Sequence, residues 1–123
     1  MYFKKVALVL VALSLPLTGC ASVKNLLPHS AERNLLSGKV GSNGPVLVVK
    51  IDDTTQAHPQ IGLEDADIVY IEQVEGGLTR LAAIFSSVVP QRIGPVRSAR
   101  ISDIDIVSQY GRVAFAYSGA QRK

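Results

Sequence analysis

Arg97, Ser98 and Arg100 form the densest group of side chains in the sequence that could bind a ligand. They come just before a predicted helix, whose first backbone N–H groups have no partner within the helix. Guanidinium, hydroxyl and N–H groups in one place favour a bound phosphate or carboxylate. Because two cations three residues apart repel each other, something must compensate them. Two arrangements are open: an external anion, or tethering within the chain by Asp103, Glu75 or buried carbonyl groups.

Asp52 and Asp53 follow a predicted buried strand, at the kind of sheet edge where open α/β sheets place their ligands. Consecutive strand residues point to opposite faces, so only one of these two acids can face a given pocket. A magnesium site would need a third carboxylate, from Glu72 or Glu75. The pattern favours turn formation and capping over metal binding, and we predict no metal site and no cofactor.

Gly76-Gly77 predicts a β-hairpin with a two-residue turn. In that register Gln73 lies opposite Arg80, and Glu75 becomes a diagonal neighbour of Arg80 on the same face of the sheet. The acid and the base could then simply close the hairpin. Alternatively, Arg80 joins the arginines that precede the helix in one basic cluster.

The elements that must position these residues are four strands and one helix. Apolar and β-branched runs predict strands over residues 46–51, 67–75, 79–86 and 113–117. The helix is predicted from an apolar stripe that Gly111 can end, formed by Ile101, Ile104, Val107 and Tyr110. The order of elements favours an α/β or α+β domain, with a small mixed sheet, a hairpin and at least one packed helix. Because the last strand has no covering element after it, we expect the domain to be incomplete at its C-terminus.

The N-terminus has the pattern of a bacterial lipoprotein signal. Lys4 and Lys5 precede the apolar run of residues 6–17, which is too short to span a membrane but suits a signal peptide. Leu17-Thr18-Gly19-Cys20 resembles the lipobox, in which the cysteine thiol is lipidated and the chain is cleaved on the N-terminal side of that cysteine. We therefore predict a signal peptide at 1–19, lipidated Cys20 with a flexible tether at 20–45, and a folded domain at 46–123.

Composition limits the classes of partner. The chain has 123 residues, with 13 Lys and Arg against 10 Asp and Glu. Removal of the predicted signal peptide, with its two lysines, leaves 11 basic against 10 acidic side chains and a net charge of +1. Such a nearly neutral domain lacks the positive field that nucleic-acid binding requires. The single cysteine excludes an intrachain disulfide and a multi-cysteine zinc site.

Four segments resemble the YerB-like bacterial lipoproteins, which carry a domain of unknown function. They read AHPQIGL at 57–63, ADIVY at 66–70, VEGGLTR at 74–80 and IGPVRSAR at 93–100. The resemblance implies an extracytoplasmic lipoprotein whose C-terminal portion is missing from this chain. Two positions depart from the family pattern, since Asp53 stands where Asn is usual and His58 where Arg is usual. The family implies no catalytic residues.

Three functions are compatible with the sequence. The first is a binding module that is lipid-anchored at the extracytoplasmic face of the cell membrane and recognises an anionic small molecule or wall polymer. The second is an envelope hydrolase or transferase that uses Asp52 or Glu75 as a base or metal ligand, with the same arginines stabilising charge. The third is a scaffold without catalysis, and whether the protein is an enzyme stays open. The candidate site contains six residues: Asp52, Glu75, Arg80, Arg97, Ser98 and Arg100.

Overall fold

A computed structural model describes residues 31–120, which form a four-stranded mixed sheet with one α-helix. The strands are β1 (Leu47–Asp52), β2 (Ile68–Gln73), β3 (Thr79–Phe85) and β4 (Ala114–Ala116), and the helix is α1 (Ser102–Ser108). The strand order is β2-β3-β1-β4, with β1 antiparallel to β3, β2 antiparallel to β3 and β4 parallel to β1. This α+β architecture confirms the predicted fold class and all four predicted strands to within two residues at each end.

The central strands are apolar on both faces because both faces are covered. One face packs beneath the loops that precede β2 and follow β3, through Val49, Ile51, Leu81, Ala83, Phe85 and the covering residues Leu63, Ile93 and Val96. The other face, here called the helix face, packs beneath α1 through Val48, Ala82, Ile84 and Ile106. A strand buried on both sides reads as a continuous apolar run, which is why β1 and β3 were predictable.

At the start of α1, the side chains that pack against the sheet differ from those predicted. Val107 and Tyr110 pack against the sheet as the apolar stripe predicts. Ile101 and Ile104 instead point outward and are 68% and 62% exposed. The reason is Asp103, which lies beneath the helix and is 1% exposed, because it pairs with a buried lysine described below. An ion pair in the core therefore sets the rotation of α1.

Residues 31–45 pack against the domain, in contrast to the flexible tether predicted there. Asn34 is 2% exposed, and its side-chain amide donates to the Ser42 carbonyl at 2.9 Å and to the Ser86 hydroxyl at 3.2 Å. Leu36 packs against the helix face. The folded unit thus begins before residue 46. The predicted signal peptide, Cys20 and the first part of the predicted tether lie outside the described residues.

The hairpin between β2 and β3 has a three-residue loop rather than the predicted two-residue turn. Glu75–Gly77 form the loop, and Gly76 has a φ of 73°, a conformation that favours glycine. The register is consequently shifted by one residue, so that Glu72 rather than Gln73 lies opposite Arg80. A shift of one residue moves side chains to the other face, and the predicted pairing of Glu75 with Arg80 is wrong.

Candidate functional site

Charged residues replace apolar ones at one end of the helix face. Glu72, Arg80 and Asp52 occupy adjacent positions on β2, β3 and β1, since Arg80 pairs with both acids in the strand register. Lys50 lies two residues before Asp52 and so points to the same face. The segment 95–97 extends the sheet beside Asp52, which brings Arg97 to this end as well. We call this region the charged end of the sheet.

Lys50 is the centre of the charged end and is completely buried. Its ammonium lies 2.8 Å from Asp103 Oδ1 and also contacts the Glu72 carboxylate. Each acid has a second donor, since the Ser102 hydroxyl donates to Glu72 and the Arg100 N–H donates to Asp103. Burial lowers the pKa of Lys50, while the hydrogen bond to Asp103 opposes that shift. Lys50 was not among the predicted site residues, and the only signal in the sequence was a single lysine inside an apolar strand.

Arg97 is neutralised by Asp52. Its Nε donates to Asp52 Oδ2 at 2.8 Å, and Asp52 is 8% exposed. Burial by itself would raise the pKa of Asp52, but hydrogen bonds from Thr54 and Arg97 outweigh it and lower the pKa below its usual range. Asp52 is therefore a structural counter-ion and a weak base.

Arg100 is paired with Glu75, one of the two acids predicted to hold it. Arg100 Nε lies 3.0 Å from both Glu75 carboxylate oxygens. The pKa of Glu75 is lowered by hydrogen bonds from the Glu75 backbone N–H and from the Arg100 side chain. The backbone N–H of Arg100 donates to Asp103 Oδ2 at 2.6 Å, and that of Ala99 donates to the Gly119 carbonyl at 2.8 Å. The free N–H groups predicted before the helix are thus already occupied at these two positions.

Arg80 differs from the other two arginines because a carbonyl, not a carboxylate, accepts from it. One Nη donates to the Ser98 carbonyl at 2.7 Å. Among residues 31–120, no carboxylate oxygen lies within 4.0 Å of its guanidinium. Partial burial lowers the pKa of Arg80, and the positive charges of Arg100 and Arg97 lower it further.

A pocket of about 520 Å³ opens beside Arg80. Its walls are Glu75, Arg80, Ser98, Arg100 and Ala120. The fold therefore brings all six predicted site residues to the charged end, although two of the three arginines are tied to carboxylates of the chain. Internal pairing, one of the two predicted arrangements, holds for Arg97 and Arg100, while Arg80 borders an open pocket.

Asp53 points away from this site. Its carboxylate accepts from Thr79 Oγ1 at 2.5 Å and lies 3.2 Å from His58 Nε2. Only Asp52 faces the charged end, as the alternation of strand side chains predicts. Within residues 31–120, no three His, Cys, Asp or Glu side chains are grouped as metal ligands. Each acid that could have formed a magnesium site is bound instead to a base.

A larger groove adjoins the pocket and shares Glu75, Arg100 and Ala120 with it. It measures about 760 Å³ and lies between α1 and β4. We call it the apolar groove. Ile101, Ile104 and Val107 form the α1 side, and Phe115 and Tyr117, whose ring centres are 4.9 Å apart, form the other side.

Comparison with known families identifies this fold. The family model for the N-terminal domain of a protein of unknown function, DUF3048, matches residues 34–123. The chain belongs to the DUF3048 family. The match begins twelve residues before the predicted domain start at 46, in agreement with the packing of the DUF3048 segment around Asn34.

Two matches, one by sequence and one by structure, both to YerB of Bacillus subtilis, place this DUF3048 domain among YerB-like proteins. The Bacillus subtilis (strain 168) protein named "Putative lipoprotein YerB" is 50% identical over 62 residues, which are 50% of this chain and 18% of that protein. The crystal structure of the YerB protein from Bacillus subtilis matches with a TM-score of 0.68 and 32% identity, over 73% of this chain and 32% of that chain. The chain thus spans about a third of the solved relative. No helix among the described residues is long and apolar enough to cross a membrane.

Proposed function

We propose that the protein is lipid-anchored at the extracytoplasmic face of the bacterial membrane and that its DUF3048 domain binds a small anionic group at Arg80. The name of YerB and the lipobox-like segment ending at Cys20 support the anchor. Two or more acyl chains would hold the protein on the membrane stably, whereas one would not. The anionic group is a phosphate or a carboxylate, carried by a small molecule or a wall polymer.

The observation that carries the proposal is that, among residues 31–120, no carboxylate pairs directly with Arg80, although its side chain borders an open pocket. Its guanidinium is partly buried, and the repulsion from Arg100 and Arg97 outweighs the attraction of Glu75 and Asp52, so the pKa of Arg80 is lowered. An anion in the adjoining pocket would relieve this repulsion and would accept from the N–H groups that Arg80 does not use on Ser98. Guanidinium groups suit this role because their paired N–H donors match the geometry of carboxylate and phosphate oxygens.

Binding is favoured over hydrolysis or group transfer by the state of the two candidate bases. Asp52 and Glu75 each accept from an arginine, and the pKa of each is lowered. A general base works best when its pKa lies near the working pH, so carboxylates shifted in this direction are poor bases. The same two acids make good counter-ions that hold Arg97 and Arg100 in place.

Titration with inorganic phosphate and pyrophosphate tests the proposal. Amide chemical shifts of the labelled chain should change at residues 97–100 on addition of either anion, with saturation. Arg80→Gln should weaken binding by about tenfold or more, since a charge-assisted hydrogen bond contributes about 1.5 to 3 kcal/mol. Arg92→Gln is the matched control, because Arg92 is an exposed arginine away from the pocket.

The Arg92→Gln control shows which result would contradict anion binding at Arg80. If Arg80→Gln and Arg92→Gln weaken binding equally, the anions respond only to net charge and the pocket is not a site. Thermal unfolding of both variants shows whether Arg80→Gln preserves the fold. Arg80→Lys keeps the charge but removes the paired donors, so it should bind more weakly than the parent chain if guanidinium geometry matters.

A further inference from the structure

The apolar groove leaves large apolar side chains in contact with water. Ile101 and Ile104 are 68% and 62% exposed, and Tyr117 on the opposite side is 48% exposed. Single exposed apolar residues are ordinary on protein surfaces, whereas a contiguous apolar surface with a polar rim marks an interaction site. Arg100 and Glu75 supply such a rim at one end of the groove.

The sheet ends beside this groove at β4. The inner edge of β4 pairs with β1, and among residues 31–120 no strand pairs with its outer edge. The edge continues beyond β4, because the Ser118 N–H donates to the Arg97 carbonyl and Ala120 forms a bridge with Ala99. Unpaired backbone groups on a sheet edge accept a further strand.

We propose that the apolar groove and the outer edge of β4 together receive an extended polypeptide segment with apolar side chains on one face. Such a segment satisfies both features at once, since its backbone pairs with β4 and its side chains cover Ile101 and Ile104. A small apolar molecule would fill the groove but would leave the backbone groups of the edge without partners.

The segment comes from the part of YerB-like proteins that lies outside the region matched by this chain. The matching family model is that of an N-terminal domain, and the chain spans 32% of the solved YerB chain. Longer relatives therefore carry polypeptide in addition to this fold. The apolar groove adjoins the Arg80 pocket but is not lined by Arg80 itself, so the inference does not require anion binding.

Overlapping synthetic peptides from Bacillus subtilis YerB, covering its sequence outside the shared region, test this inference. Their binding to the full chain is measured by fluorescence anisotropy, and amide hydrogen exchange locates the bound peptide. We expect at least one peptide to bind and to slow exchange at residues 114–120. Binding by no peptide, or protection at β2 rather than β4, would overturn the proposal.

Two matched variants isolate the groove. Ile104→Asp places a charge on the α1 side, and Ile71→Asp places one on β2 at the other edge of the sheet, where Ile71 is 72% exposed. Ile104→Asp should weaken peptide binding by about tenfold or more, because it replaces an apolar side chain that the peptide would bury with a charged one. Ile71→Asp should bind as the parent chain does, and equal losses would contradict the inference.

Sedimentation of the chain alone tests whether a second copy of the chain, rather than a YerB segment, occupies the groove. A dimer that forms with rising concentration and is lost in Ile104→Asp would assign the groove to a second copy of the chain and would overturn the proposal. A chain that stays monomeric and still binds a peptide through the groove supports it.

Discussion

Lys50 shows how one residue organises the charged end. A buried ammonium is costly unless carboxylates and hydrogen bonds surround it. Here Asp103 and Glu72 supply the charges, and Ser102 holds Glu72. The lysine joins the centre of the sheet to the start of α1 through Asp103, which also accepts from the Arg100 backbone N–H beside the pocket. Its role is therefore structural, and the pocket depends on it indirectly.

Substitution of Lys50 should destabilise the domain strongly. Lys50→Met leaves two carboxylates buried without their cation, which should lower the free energy of unfolding by about 3 to 5 kcal/mol. Asp103→Leu alone should also be destabilising. The double variant Lys50→Met/Asp103→Leu should lose less than the sum of the two, as measured by urea unfolding. Strictly additive losses would show that the two residues do not interact.

The pairing of Lys50 with Asp103 could not be predicted from the sequence. Lys50 and Asp103 are far apart along the chain, and no local periodicity relates them. Ile101 and Ile104 were predicted to be buried because the helical pattern takes only apolar residues into account. The buried charge of Asp103 overrides that preference and rotates the helix.

At the scale of elements, the strands and the hairpin were predictable because β1 and β3 are buried on both faces and a glycine pair separates β2 from β3. The loop length was not, since two-residue and three-residue hairpins both use glycine. The packing of residues 31–45 was also missed, because Gly and Pro content resembles a linker. Asn34 and its partners hold this segment through polar contacts rather than through an apolar pattern.

Asp67 joins that N-terminal segment to the end of β3. Its carboxylate accepts from the Ser37 hydroxyl at 2.5 Å and from the backbone N–H groups of Ser86 and Ser87, each at 2.7 Å. Burial would raise the pKa of Asp67, but hydrogen bonds from these serines outweigh it and lower the pKa. Two elements that are distant along the chain are therefore held by one ionised side chain.

The lowered pKa predicts acid sensitivity with a definite sign. The contribution of Asp67 is fully present above its unfolded pKa of about 3.9 and is lost as the pH falls through the folded pKa. Asp67→Asn should lower the free energy of unfolding by about 2 kcal/mol at neutral pH. This deficit should shrink as the pH falls below 4, measured by urea unfolding at each pH. Glu64→Gln, at an exposed position, is the control and should show no such pattern.

At the scale of the whole molecule, the four acids and four bases of the charged end balance one another. The acids are Asp52, Glu72, Glu75 and Asp103, and the bases are Lys50, Arg80, Arg97 and Arg100. The arginine cluster predicted from the sequence is thus compensated as a whole, and only the local placement of Arg80 favours an anion. The near neutrality of the domain was predictable from its composition, but the fact that Arg80 lies apart from a paired carboxylate was not.

The proposed anchor gives a prediction for the complete chain in cells. Cys20→Ser removes the thiol that would carry the lipid. In a bacterial host, the parent chain should sediment with membranes and the variant should shift to the soluble fraction. Metabolic labelling with a radioactive or alkyne-tagged fatty acid checks the cause, since the parent should incorporate label and the variant should not. A parent chain that incorporates no label would contradict the anchor.

The parallel pairing of β1 with β4 forms only late in the synthesis of the polypeptide. Leu47 meets Ala114, so the ribosome must have synthesised nearly all of the described chain before this contact can form. Contacts between such distant residues form late and slowly. A newly made chain therefore has a period in which β1 is still unpaired on the side that β4 later covers.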